Sequence, residues 1–312
     1  MKIAIVGLGK MGMQITRKLI EAGHEVIAHD IGQEAVTAAA ELGAVPAPTK
    51  QDVANTFAGA QAIVWVMIPA DFIDVELELW LGLLAPGSII IDGGNSDFRL
   101  TVERAKKAMN AGMQLIDVGT SGGVWGYDNG FSMMAGGDQA AYKTVEPFLQ
   151  ALAAPSGAYH YFGSSGSGHY VKMIHNAIEY GMMESLAEGY HMLKDGPYDQ
   201  LDLAAASDVW QHCSVITSWL NSLCQQIFNE NPDLEGIDGY VTESGEARWT
   251  LEVAKERGIT LPAIQTSLAT RIASQNGEIN FTTKLLAAMR NKFGGHQVNK
   301  PGQVADAKGD VA

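Results

Sequence analysis

The chain opens on MKIAIVGLGKMG, and the spacing of its glycines is the feature that most restricts the fold. An apolar run with strand character, KIAIVG, leads straight into Gly7-Leu8-Gly9-Lys10-Met11-Gly12, and helical periodicity follows from about Met11 to Ala22. At such a junction the first glycine permits a tight turn and the second lets backbone approach a pyrophosphate. The third lets the helix pack closely on the strand, with its N-terminus facing the phosphates. A bare GxGxxG is weak evidence. A strand before it and a helix after it make it a dinucleotide-binding signature.

The next strand-like run, HEVIAHD, ends at Asp30, about 18 residues beyond Gly12. A carboxylate there can accept hydrogen bonds from the adenosine ribose hydroxyls, and its charge repels a 2′-phosphate. No Arg stands beside it in AHDIGQEA, so NAD is expected, with NADP as the less favoured alternative. The candidate cofactor set is Gly7, Leu8, Gly9, Lys10, Met11, Gly12, Asp30, Met67 at the end of the apolar run AIVWVMIP, and Asn95 in DGGNSDFR.

Further strand-like runs at SIIIDGG and LIDVGT alternate with the helical EAVTAAAELG and RLTVERAKKAMNAG. This alternation predicts an α/β fold, a Rossmann-type doubly wound and mostly parallel sheet. After YHYFGSSGSG the periodicity becomes helical, in GHYVKMIHNAIEYG, in LAAASDVWQHCSVITSWLNSLCQQIF, in GEARWTLEVAKERG and from about Pro262 to Ser274. The expected organisation is a dinucleotide-binding domain at 1–165, an all-helical substrate and oligomerisation domain at 166–296, and a tail at 297–312.

A net charge of -14 argues against a nucleic-acid or anionic-membrane partner, so an anionic substrate needs a local basic pocket. The two cysteines, Cys213 and Cys224, form no CxxC or zinc spacing; they read as buried thiols, and no metal is expected. Trp65, Trp80, Trp210 and Trp219 read as core or interface aromatics. The apolar N-terminal run enters a glycine motif, not a cleavage site, and no run approaches the roughly 20 apolar residues of a membrane span. A cytoplasmic protein is expected.

The helix in GSGHYVKMIHNAIEYG is unusual. At 100° per residue Val171, Ile174, Ile178 and Met182 share one side, while Lys172, Asn176 and Glu179 lie within about 60° of each other and His175 falls between the groups. A core face and a narrow polar face are expected. The polar face lacks the Lys/Glu mixture of a merely solvated helix.

Taken with the dinucleotide motif, DGGNSDFR, DVGTSGGVWG and this helix resemble the decarboxylating 6-phosphogluconate dehydrogenases, over about residues 1–296 and in the same order. The resemblance implies that Asn95, the turn Ser121-Gly122-Gly123 and the KxxHNxxEY residues Lys172, His175, Asn176, Glu179 and Tyr180 surround a sugar acid. It also implies that Arg271, Arg290 and His296, the last two in RNKFGGH, hold its phosphate. Arg248 in GEARWT stands where the family usually has Lys; the change keeps the charge and alters the geometry. The chain lacks much of the long members' helical region, which places it with a short form. The resemblance implies a homodimer or homotetramer and leaves open whether Arg290 and His296 act in their own or a neighbouring subunit.

The implied reaction is oxidative decarboxylation of 6-phospho-D-gluconate to D-ribulose 5-phosphate in gluconate metabolism and the pentose phosphate pathway. Lys172 takes the proton of the carbon 3 hydroxyl and later protonates the enolate oxygen, and Glu179 protonates carbon 1. His175 and Asn176 orient the reacting groups. One alternative is another β-hydroxyacid dehydrogenase, of 3-hydroxyisobutyrate or tartronate semialdehyde type, which shares the glycine loop, the Ser-Gly-Gly turn and the helix Lys and Asn. A non-catalytic NAD-binding protein is the other.

Overall fold

In the computed structural model, which describes residues 1–298, two compact units divide the chain, residues 1–173 and residues from 174 onward. The expected tail at 297–312 lies outside the described residues from 299 on.

The first unit holds eight strands, β1 (Lys2–Val6), β2 (Glu25–His29), β3 (Val45–Pro46), β4 (Ile63–Val66), β5 (Ile89–Asp92), β6 (Gln114–Ser121), β7 (Ser132–Gly136) and β8 (Tyr159–Gly163). Its helices are α1 (Lys10–Glu21), α2 (Gln33–Glu41), α3 (Lys50–Thr56), α4 (Ile73–Leu83), α5 (Phe98–Asn110), α6 (Gly126–Asn129) and α7 (Gln139–Ala153). The strands lie in the order β3-β2-β1-β4-β5-β6-β7-β8. β1 to β6 are mutually parallel, and β7 pairs antiparallel with β6 and parallel with β8.

Both faces of this sheet are covered, which explains why its central strands are apolar without interruption. Successive residues serve opposite cores: Ile3, Ile5, Trp65 and Ile91 pack with Ile15 and Leu19 of α1 and Phe148 of α7. Ala4, Val6, Val64 and Ile90 pack with Val53 of α3 and Leu77 and Trp80 of α4. The strand order reverses between β1 and β4, and the loops leaving their C-terminal ends meet there, Met67 N donating to Val6 O at 2.7 Å. Doubly wound sheets bind ligands at this switch point.

Helix α8 (Ser167–Lys194) contains the division between the units. The second unit continues with α9 (Leu203–Gln211), α10 (Trp219–Glu230), α11 (Glu246–Arg257), α12 (Pro262–Gln275) and α13 (Phe281–Gly294). Its core joins Met183, Ala187 and Tyr190 of α8 to Leu203, Leu223, Ile227, Leu285 and Met289. The periodic run from Leu203 to Phe228 is two helices, because Ser218 accepts from Asn221 N at 3.1 Å and starts α10 afresh. Cys213 is exposed in the intervening turn, at φ 59, whereas Cys224 is buried in the core. Trp65 and Trp80 are fully buried, and Trp219 is largely exposed.

The expected core face of α8 is corrected. Ile178 and Met182 are 52% and 45% exposed, while Met173, Ala177, Tyr180, Met183, Ala187 and Tyr190 are buried on roughly the opposite side. Small alanines between large Met and Tyr side chains let neighbouring helices approach this face, which the bulkier isoleucine stripe does not offer. The polar residues Lys172, Asn176 and Glu184 are therefore buried, at 6%, 8% and 5% exposure.

Candidate active site

In the first unit the glycine loop is shaped by close backbone approach. Gly7 has φ +91, and a Cβ there would lie 2.3 Å from Met67 O. A Cβ at Gly12 would lie 1.9 Å from Gly7 O. Gly9 differs: a Cβ there would meet nothing within 4 Å. Gly9 is also the N-cap of α1 and supplies no side-chain cap. Open space in front of a helix N-terminus is what a pyrophosphate needs, so the loop fits a dinucleotide.

Asp30 braces this loop. Its Oδ2 accepts from Leu8 N at 2.6 Å and its Oδ1 accepts from Gly32 N at 2.7 Å. Each carboxylate oxygen keeps a further lone pair for a ribose hydroxyl. Lys10 is exposed and Met11 half-buried at the start of α1, and Met67 is buried at the end of β4.

Asn95 is half-buried in the loop after β5. Asp92 shapes that loop, accepting from Ser96 Oγ at 2.8 Å and lying 3.6 Å from Arg104 Nη1. Ser121 ends β6, and Gly122 turns the chain at φ +138, a conformation L residues rarely adopt.

Lys172 is set into the first unit by Gly119 of β6, where a Cβ would lie 2.2 Å from Lys172 Cβ. The start of α8 is held by Asp117, fully buried in β6, whose oxygens accept from Gly166 N at 2.8 Å and His169 N at 2.9 Å. The carboxylate satisfies two amides at the helix N-terminus and opposes its dipole. The signal for this anchor in the sequence is the Asp inside the apolar run LIDVGT.

In the second unit Asn176 Nδ2 donates to Glu246 Oε1 at 2.8 Å, and Asn176 Oδ1 lies 2.9 Å from His175 Nδ1. Ser244 Oγ donates to Glu246 Oε2 at 2.6 Å, and Ser244 N donates to Tyr180 Oη at 3.2 Å. Glu179 is half-buried on the same helix.

Two of the expected phosphate ligands converge on one residue. Arg271 Nη1 donates to Thr242 O at 3.4 Å, and Arg290 Nη1 donates to Thr242 Oγ1 at 2.5 Å. The Arg271 guanidinium sits 3.2 Å from the centre of the Tyr180 ring. Arg271 is 1% exposed, and burial lowers its pKa to about 10, opposed by the nearby Tyr180. Among the described residues no carboxylate forms an ion pair with it. Glu179 and Glu184 act on it only from a distance and oppose the lowering, so among these residues its guanidinium has no short contact with an anion.

Arg248 is placed differently: its side chain is 56% exposed and forms an ion pair with Glu243. His296 lies just beyond α13, its carbonyl accepting from Asn291 Nδ2 at 2.8 Å. Thr242, Glu243, Ser244 and Glu246 were missed as site neighbours, although TESGE before a helix is a dense acceptor cluster. Among the described residues no group of three or more His, Cys, Asp or Glu is arranged to hold a metal ion. No helix there is long and apolar enough to cross a membrane.

The doubly wound sheet and its braced glycine loop define a dinucleotide-binding domain. The NAD binding domain of 6-phosphogluconate dehydrogenase matches residues 2–164, and the C-terminal domain of 6-phosphogluconate dehydrogenase matches residues 168–280. The chain belongs to the 6-phosphogluconate dehydrogenase family, as the sequence resemblance implied. The NAD(+)-dependent, decarboxylating 6-phosphogluconate dehydrogenase of Haloferax volcanii is 39% identical over 300 residues, 96% of this chain and 98% of that protein.

The decarboxylating enzyme of Synechococcus elongatus is 33% identical over 289 residues, 88% of this chain but 61% of its own length, so this chain is a short form. Among solved structures, the 6-phosphogluconate dehydrogenase of Plasmodium falciparum, studied with NADP+ and with 6-phosphogluconate, is 28% identical with a TM-score of 0.79. That match covers 99% of this chain and 67% of the other. A 3-hydroxyisobutyrate dehydrogenase from Salmonella typhimurium, 21% identical with a TM-score of 0.73 over 91% of this chain and 98% of the other, shares the fold.

Proposed function

We propose that this chain oxidises and decarboxylates 6-phospho-D-gluconate to D-ribulose 5-phosphate and carbon dioxide, preferring NAD to NADP, in the pentose phosphate pathway. The observation that carries the reading is the buried cation Arg271 beside Arg290 at Thr242, on a chain that also sets Lys172 and Asn176 into buried positions on α8. Two guanidinium groups side by side suit the doubly charged phosphate of a sugar acid better than the single carboxylate of a small 3-hydroxy acid.

Residues 1–165 would bind the dinucleotide, through Gly7 to Gly12, Asp30, Met67 and Asn95, and residues 166–296 most of the substrate. The Asp30 carboxylate favours NAD, as a 2′-phosphate would meet its charge. When bound, the nicotinamide supplies the two-electron acceptor for oxidation at carbon 3. Lys172 takes the hydroxyl proton at that carbon, leaving a 3-keto acid. The carbonyl then acts as electron sink while carbon dioxide departs, and the Lys172 ammonium protonates the enolate oxygen. Glu179 protonates carbon 1 of the enediol.

His175 and Asn176 orient the reacting groups. Asn95, Ser121, Gly122, Gly123 and Tyr180 hold the sugar acid, and Arg271, Arg290 and His296 hold the phosphate, with Arg248 as a further cation. The active form is a cytoplasmic homodimer or homotetramer.

The test is initial-rate NADH formation with 6-phosphogluconate against gluconate, and with NAD against NADP. NADH formation that requires the phosphate and yields ribulose 5-phosphate is expected. Turnover of small 3-hydroxy acids instead would move the chain to the other β-hydroxyacid dehydrogenases. Lys172→Met is expected to lower kcat by about 10³-fold or more with the fold intact; normal turnover by that variant would remove Lys172 from its role.

A further inference from the structure

Glu246 lies at the first turn of α11, 2% exposed, and both its oxygens accept hydrogen bonds, from Asn176 and from Ser244. A carboxylate can only accept. Asn176 must therefore turn its amide nitrogen toward Glu246, since the flipped amide would bring its oxygen against the carboxylate. That choice fixes the other end of the amide. Asn176 Oδ1, 2.9 Å from His175 Nδ1, is itself only an acceptor. The neutral imidazole then carries its proton on Nδ1 and presents Nε2 as a lone pair.

We propose that Glu246 is a positioning residue that, through the Asn176 amide, sets the His175 tautomer so that Nε2 accepts a hydrogen bond from a substrate hydroxyl. The proposal rests on the reading of this chain as a sugar-acid dehydrogenase and sharpens its substrate class. A hydroxyl beside the reacting carbon can donate to Nε2. A keto or ether oxygen at that place cannot, and would meet lone pair with lone pair.

The sequence alone does not supply this link. Glu246 is distant from Asn176 along the chain and follows Gly245, the N-cap of α11 at φ +101, which turns the chain into the helix. Only the fold sets this carboxylate behind the amide.

Two variants separate acceptor from charge and volume. Glu246→Gln keeps an oxygen for Asn176 and offers its amide hydrogens to Ser244, whose hydroxyl can rotate to accept. Glu246→Met fills similar space and offers no comparable acceptor. Glu246→Met is expected to lower kcat on 6-phosphogluconate by about 10²-fold, because the hydroxyl beside the reacting carbon loses its fixed partner and the reacting carbon its alignment. Glu246→Gln is expected to retain at least about tenfold more kcat than Glu246→Met, and KM for NAD is expected to stay the same in both.

The direct readout is the ring nitrogen spectrum of ¹⁵N-histidine-labelled full-length protein at pH 8, with His175 assigned by its own substitution. The wild type is expected to show the Nδ1–H tautomer, and Glu246→Met a mixture. A wild-type Nε2–H tautomer overturns the proposal, even if Glu246→Met fails to fold. Equal turnover and equal tautomers in the wild type and Glu246→Met overturn it too. If 6-phosphogluconate is not turned over but Glu246→Met still shifts the tautomer, the substrate reading fails while the positioning role stands.

Discussion

The glycine loop of the first unit and the arginine cluster of the second are built in opposite ways. The loop is made by leaving side chains out: Gly7 and Gly12 are glycine because backbone lies 2.3 Å and 1.9 Å from where a Cβ would be. The cluster is made by burying charge, with Arg271 and Arg290 at 1% and 6% exposure. A site built by omission costs little until an atom is added. A site built from buried charge costs stability in the free protein and recovers it when an anion arrives.

The largest effect is expected at the loop. Gly12→Ala forces a methyl against Gly7 O and is expected to destabilise the first unit by about 3 kcal/mol, with loss of cofactor binding. Gly9→Ala sharpens the contrast, since its Cβ meets nothing within 4 Å. Its melting temperature is expected to match the wild type while its affinity for NADH falls at least about tenfold, read by NADH fluorescence. Equal melting temperatures for the two variants would mean that the loop relaxes and that the contrast is false.

The same contrast governs what could be read without a structure. The sheet was legible because parallel strands covered on both faces leave continuous apolar runs, as in KIAIVG and SIIIDGG. β7 and β8 were not, since SMMAG mixes small and flexible residues, and YHYFG, with no fully buried residue, shows no continuous apolar run. On α8 the isoleucines drew the core to the wrong side. The face that packs is written in Ala, Met and Tyr, and its burial depends on long-range partners such as Glu246 and Arg271. The polar trio was legible as a set by helical spacing. What each member bonds was not, because hydrogen bonds across α8, α11, α12 and α13 have no short-range signature. α13 itself escaped notice, although Asn280 and Thr283 cap it reciprocally.

An intermediate effect, of opposite sign, is expected at the arginine. Burial depresses Arg271 to about 10, so the folded state gives up its proton more readily than the unfolded chain does. Below that pH both states are charged, and the folded state bears the full cost of desolvation; the cost falls only as pH rises through about 10. Arg271→Met is therefore expected to raise the stability of the ligand-free protein by about 1–3 kcal/mol while raising KM for 6-phosphogluconate at least about tenfold. A variant that loses stability and leaves KM unchanged would make Arg271 a structural cation.

The smallest effect is expected at Glu184, whose carboxyl lies on the same helix as Tyr180 and is 5% exposed, with Oε2 buried and unbonded. Burial pushes its pKa up, chiefly against the hydrogen bond from Thr270, while Glu188 raises it further and Arg271 lowers it. The folded state thus binds this proton more tightly than the unfolded chain does. Its contribution to stability is fully present below the ordinary carboxylate range and is lost as pH rises through the elevated folded value. Above that folded value the wild type carries the cost of a buried charge with one oxygen unsatisfied. Glu184→Gln removes the charge and keeps the shape, and trades an unbonded acceptor for an unbonded donor. The gain is expected to stay below about 1 kcal/mol. Melting curves at pH 5 and pH 8 should show the variant gaining on the wild type as pH rises. A constant difference would mean that Glu184 does not titrate in this window and that its burial sets no pH dependence there.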